Sequence, residues 1–182
     1  MKREDIRKMV IAAMLLAIGY MLPFLTMQIK TIGNMFLPMH LPVMLAGFIL
    51  GWQYGLAVGF ILPVTRSLLF GMPQLYPSAI AMSFELATYG VCIGILYWIF
   101  GKKGILAVYA ALIPSMLIGR AVWGMAMIVL MKLNDSAFAF KVFLTQAFAN
   151  AFPGIILQLI LIPAIMLVLD KTRLVRFGRT RN

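Results

Sequence analysis

Five polar side chains interrupt stretches that are otherwise apolar: Arg66, Glu85, Arg120, Gln146 and Asn150. A charged group in such a run is costly without a partner, and it marks a functional site by default. Two guanidiniums against one carboxylate leave a formal charge of +1 among them, and a bound anion relieves the cost of burying that charge. Arginine's planar fork matches a carboxylate in particular. Gln146 and Asn150 are spaced i, i+4 and share one helical face, where they offer hydrogen bonds to a small monocarboxylate. Structural roles compete at each position. Arg66 can snorkel to headgroups, and Glu85 can serve as partner to either arginine. Gln146 and Asn150 can join helices, at about 0.6 kcal/mol per interaction. Arg120 is too deep for easy snorkelling. His40, the only histidine, either caps a helix beside a loop or adds a contact. Trp123 and Tyr89 read as core or interface aromatics.

The same inventory excludes most catalysis. There is no histidine pair for zinc, no Gly-x-Ser-x-Gly elbow and no phosphate loop. The single cysteine, Cys92, lies in an apolar run and reads as a packing residue. No cofactor is expected on this chain. If it serves ATP-driven uptake, ATP and magnesium belong to other subunits.

The elements that must hold these residues are membrane helices. Of 182 residues, 63% are hydrophobic and 12% charged, with a mean hydropathy of +1.00, too apolar for a soluble domain. Uncharged runs of about 18 or more residues match a hydrocarbon core of roughly 30 Å. Six spans account for the chain, as one domain over 1–182: about Ile6–Leu25, Met39–Leu50, Gln53–Phe70, Ser78–Phe100, Ile105–Met131 and Val142–Leu169. The second is too short to cross as a straight helix. It is expected to be buried, or folded with the third into a hairpin. Gly47, Gly51, Gly55 and Gly59, at four-residue spacing, suit close helix packing there.

Basic residues set the orientation. Eleven of the sixteen (Lys2, Arg3, Arg7, Lys8, Lys102, Lys103, Lys171, Arg173, Arg176, Arg179 and Arg181) share the side of the termini. Lys30, Lys132 and Lys141 lie opposite. Eleven against three predicts cytoplasmic termini. The charge of +11 therefore contacts the lipid bilayer and fixes topology, and no nucleic-acid partner is expected. In this frame the five polar residues all fall in the outer half, which predicts a polar cavity open to the outside.

The chain resembles the substrate-binding S components of energy-coupling factor (ECF) vitamin transporters. The resemblance rests on length, six spans, cytoplasmic termini and a polar loop, Thr26–Pro38, after the first span. It also rests on the blocks PMHLPVMLAGFILGW and RSLLFGMPQLYP, and on Ala13-x-x-x-Ala17, similar to the family's AxxxA motif. It implies a high-affinity vitamin-binding subunit in the cell membrane, not an enzyme. Its implied partners are a vitamin ligand, a transmembrane coupling subunit docked on Ala13 and Ala17, and two cytoplasmic ATPase subunits carrying ATP and magnesium. In the family, the loops after the first and third spans gate the site. Here they are Thr26–Pro38 and Gly71–Pro77, which adds Asn34 and Tyr76 to Arg66, Glu85, Arg120, Gln146, Asn150 and His40 as candidate substrate contacts. The net positive pocket, with a looser resemblance to the pantothenate and pyridoxine branch, favours pantothenate; pyridoxine, hydroxymethylpyrimidine, cobalamin and folate stay open. A self-sufficient secondary transporter or channel subunit is the alternative class. It would be expected to show an ion relay and inverted repeats, but the sequence offers one intramembrane carboxylate and no clear repeat.

Overall fold

A long apolar segment with no water around it must satisfy its backbone internally, which a helix does. The computed structural model describes residues 3–25, 37–101, 104–132 and 151–171, and their regular structure is helical throughout. The helices are α1 (Arg3–Leu25), α2 (His40–Leu50), α3 (Trp52–Phe70), α4 (Ile80–Ile99), α5 (Gly104–Lys132) and α6 (Phe152–Lys171). A wide turn, Leu75–Ala79, leads into α4, with Tyr76 extended inside it. Five of these elements are long and apolar enough to cross a membrane, the turn counting with α4, and α2 is the shorter exception. At 1.5 Å per residue, α2 is only about 16 Å long.

The expected hairpin is present, and its glycines divide into two kinds. Gly51 closes α2 and opens α3 with φ at 96°, a conformation that costs a residue with a Cβ but not glycine. The others make room for a neighbour. A Cβ on Gly47 would lie 2.8 Å from the Gly90 carbonyl oxygen, one on Gly55 2.7 Å from the same oxygen, and one on Gly59 2.5 Å from the Leu86 backbone. Gly94 faces Trp52 in the same manner. The register Trp52–Gly94, Gly55–Gly90, Gly59–Leu86 makes α3 and α4 antiparallel, with their backbones in direct contact. The spacing thus marks a three-helix seam of α2, α3 and α4, whereas the sequence pointed only to the α2–α3 hairpin.

The middle position belongs to α4, which packs on α2, α3 and α5. Ten of its twenty residues are buried. Eight of the eleven residues of α2 are buried as well, as a span too short to cross requires. α1 lies outside α2 and α3 and buries one stripe, Ala12, Leu15, Gly19 and Pro23. α6 packs mainly on α5, with a lesser contact on α2. The exterior is apolar: Met21, Leu68, Trp98 and Leu106 are each more than two-thirds exposed. A skin of that kind suits lipid and not water. The expected start of the sixth span, Val142, lies outside the described residues.

The seam is testable by adding one methyl. Gly90→Ala would drive a Cβ to 2.2 Å from the Gly55 backbone, and overpacking of this sort costs about 1–3 kcal/mol. Gly19→Ala meets only the end of the Leu62 side chain, which can turn aside. Thermal unfolding in detergent should place Gly90→Ala clearly below the unmodified protein and Gly19→Ala close to it.

Candidate functional site

Three helices bring four polar side chains together near the end of the bundle where α3 runs into α4. Glu85 lies on α4, and its Oε1 is 2.9 Å from Arg120 Nη1 of α5. Tyr89, one turn further along α4, donates its hydroxyl to the same oxygen at 3.0 Å. His40, the first residue of α2, places Nε2 3.5 Å from that oxygen. Its ring lies beside the Tyr89 ring, with centroids 5.5 Å apart. Gly119 makes this possible, because a Cβ there would reach 2.4 Å from the Tyr89 ring. All four side chains are buried, the most exposed being Arg120 at 5%.

The electrostatics follow from that burial. A carboxylate and a guanidinium held in apolar surroundings must compensate each other, and removing one partner of such a pair typically costs 3–5 kcal/mol. Glu85 and Arg120 together carry no net charge. Hydrogen-bonding capacity is left over, however. Among the described residues, Arg120 Nε and both ring nitrogens of His40 are buried without a well-aligned hydrogen bond. An unmet buried group costs about 1–3 kcal/mol, so this cluster has room for acceptors that the described residues do not supply. Ser83 and Ser115, also buried, bond back to Ala79 and Ala111 within their own helices and have no spare donor of this kind.

Arg66 belongs elsewhere. Its Nη1 donates to the Tyr20 carbonyl of α1 at 3.1 Å. Its guanidinium carbon lies 5.3 Å from the Phe24 ring centroid and 5.2 Å from that of Phe70. Tyr20 and Thr65 share a further hydroxyl bond of 2.6 Å. At 2% exposure, Arg66 does not snorkel; it fastens α1 to α3. The expected charge of +1 is therefore split between a neutral pair on α4 and α5 and a separate cation held by two rings and a carbonyl. Tyr76 is likewise engaged: its hydroxyl donates to the Leu130 carbonyl, which ties the α3–α4 connection to the end of α5. Asn34, Gln146 and Asn150 lie outside the described residues.

The N-cap of α2 is Met39, without a side-chain capping bond, and the His40 ring turns to Glu85. Tyr89, read from sequence as a packing aromatic, is the residue that reading missed. Its i, i+4 spacing from Glu85 on one helix face was the available signal. Ala13 and Ala17 are exposed, off the buried stripe of α1, and so free to meet a partner. At the opposite end of α4 a cavity of about 360 Å³ opens between Phe48, Trp52, Gly94 and Trp98. Its walls are apolar and hold no charged group. Among the described residues no group of His, Cys, Asp and Glu could hold a metal ion.

No curated protein and no solved structure matches the chain. A family model does: ECF transporter, substrate-specific component, over residues 7–166. That match spans four of the six helices whole and most of α1 and α6. The chain accordingly belongs to the family of substrate-specific components of ECF transporters, which makes it an integral membrane protein and the substrate-binding subunit of a transporter.

Proposed function

We propose that this subunit captures pantothenate, or a vitamin of the same small, water-soluble, carboxylate-bearing kind, from outside the cell. The observation that carries the reading is the buried Glu85–Arg120 pair, with Arg120 Nε and the His40 ring lacking well-aligned hydrogen bonds among the described residues. Donors without acceptors suit a ligand rich in acceptor oxygens, and a guanidinium suits a carboxylate. Termini on the cytoplasmic side, as the basic residues argue, turn the cluster end of the bundle outward. The α3–α4 connection, held to α5 through Tyr76 and Leu130, then lies over the outer end of the bundle.

The exposed Ala13 and Ala17 give α1 a smooth strip suited to close helix approach. We assign to it the docking of a transmembrane coupling subunit. Two cytoplasmic ATPase subunits, with ATP and magnesium, complete the machine and supply its energy. Arg66 in this reading is a structural tie, since its contacts lie on α1 and α3.

Mass spectrometry of the small molecules that copurify with the protein should find pantothenate; failure of every B vitamin to bind below micromolar concentration ends the vitamin reading. Arg120→Lys keeps the charge and loses the fork. A charged hydrogen bond is worth about 1.5–3 kcal/mol, so pantothenate affinity should drop roughly ten- to hundredfold. Arg66→Lys should leave affinity unchanged and lower thermal stability. Leucines at Ala13 and Ala17 should preserve binding yet suppress uptake into cells or vesicles; normal uptake would move the docking surface away from α1.

A further inference from the structure

The His40 ring has an unusual set of neighbours for a neutral imidazole. Such a ring donates from one nitrogen and accepts at the other, while a protonated one donates from both. Here Nε2 faces an acceptor, Glu85 Oε1, at 3.5 Å, the Leu37 backbone lies against the ring, and neither nitrogen makes a well-aligned hydrogen bond among the described residues. Tyr89 fixes the ring from the side but gives its own hydroxyl to Glu85. A ligand carboxylate beside Arg120 would bring the ring a further, charged acceptor. With acceptors at both nitrogens, only the imidazolium meets every bond.

Charge counting leads to the same place. Glu85 and Arg120 cancel, so the cluster is neutral when His40 is neutral. An anion added to a neutral buried cluster leaves an uncompensated negative charge, which is expensive. One proton on His40 restores neutrality. We infer that His40 is a specificity-determining residue of the substrate site, taking up one proton as a carboxylate-bearing substrate binds. The inference rests on the reading of the cluster as the substrate site.

Among the described residues, the other ionisable groups near the ring are these. Glu85 and Tyr89 face it from α4, and Arg120 from α5. Of the other helices packed on α2, α3 has Arg66, committed to Tyr20, Phe24 and Phe70. The charged residues of α1 (Arg3, Glu4, Asp5, Arg7 and Lys8) and of α6 (Asp170 and Lys171) lie at the far ends of those helices. Among the described residues, Glu85 is the one competitor for the proton. Its Oε1 already receives Arg120 and Tyr89 at hydrogen-bonding distance.

The sign of the linkage is fixed. The bound state holds a proton that the free state lacks, so binding weakens as pH rises. Where free His40 is neutral and bound His40 is protonated, affinity should fall about tenfold per pH unit. Calorimetric titration of the purified protein with pantothenate, in buffers of different ionisation enthalpy, measures the uptake directly. The expected value is one proton per ligand, falling to zero in His40→Gln together with the pH slope. The neutral alcohol analogue of the vitamin should bind the unmodified protein without uptake. Pantothenate binding with no proton uptake overturns the inference and leaves the functional proposal standing. Uptake that persists in His40→Gln places the proton on another group, Glu85 first, and overturns it too. Absence of pantothenate binding overturns the substrate reading and this inference with it.

Discussion

Glu85 Oε1 sits among a guanidinium, a phenol and an imidazole because a carboxylate between apolar helices has few other ways to keep its charge. That single requirement joins three helices that are distant in sequence. α4 brings the carboxylate and the tyrosine, α5 the arginine, and α2 the histidine. Apolar contact alone gives helices many nearly equivalent rotations about their axes. A buried ion pair removes most of them, since each wrong rotation strands a charge at a cost of several kcal/mol. The short α2 gains in particular, because it cannot anchor itself at both membrane surfaces and its first residue is fixed by this cluster instead.

Glycine supplies the complementary constraint. The polar cluster sets where α2, α4 and α5 meet near one end, and the Gly47, Gly55, Gly59, Gly90 and Gly94 contacts set how closely α2, α3 and α4 approach. Among lipid-facing helices there is little hydrophobic driving force for association, so close packing carries much of the load. Polar cluster and seam thus run side by side on α4: Glu85 and Tyr89 each stand next to a seam residue, Leu86 and Gly90.

Much of this was legible from residue types. Arg120 and Glu85 stand out because charge is rare in such helices, and the glycine spacing marked a close contact. The partner in that contact was not legible: Gly90 and Gly94 on α4 form a shorter pattern that common helix packing also produces. Arg66 could not be placed from sequence because its partners are a backbone carbonyl and two aromatic rings, which no motif announces. Tyr89 was hidden by its dual nature, since its ring packs like any core aromatic while only its hydroxyl joins Glu85. His40 looked like a cap because of the loop beside it, and only the fold brings α4 within reach.

The seam has a mechanical side as well. Backbones in direct contact have no rotamers to yield, so a sliding motion between α3 and α4 meets hard repulsion at once. His40 and Glu85 ride on α2 and α4, which the seam joins, whereas Arg120 rides on α5, outside it. A displacement of α5 against the seam would be felt as a force between the two halves of an ion pair.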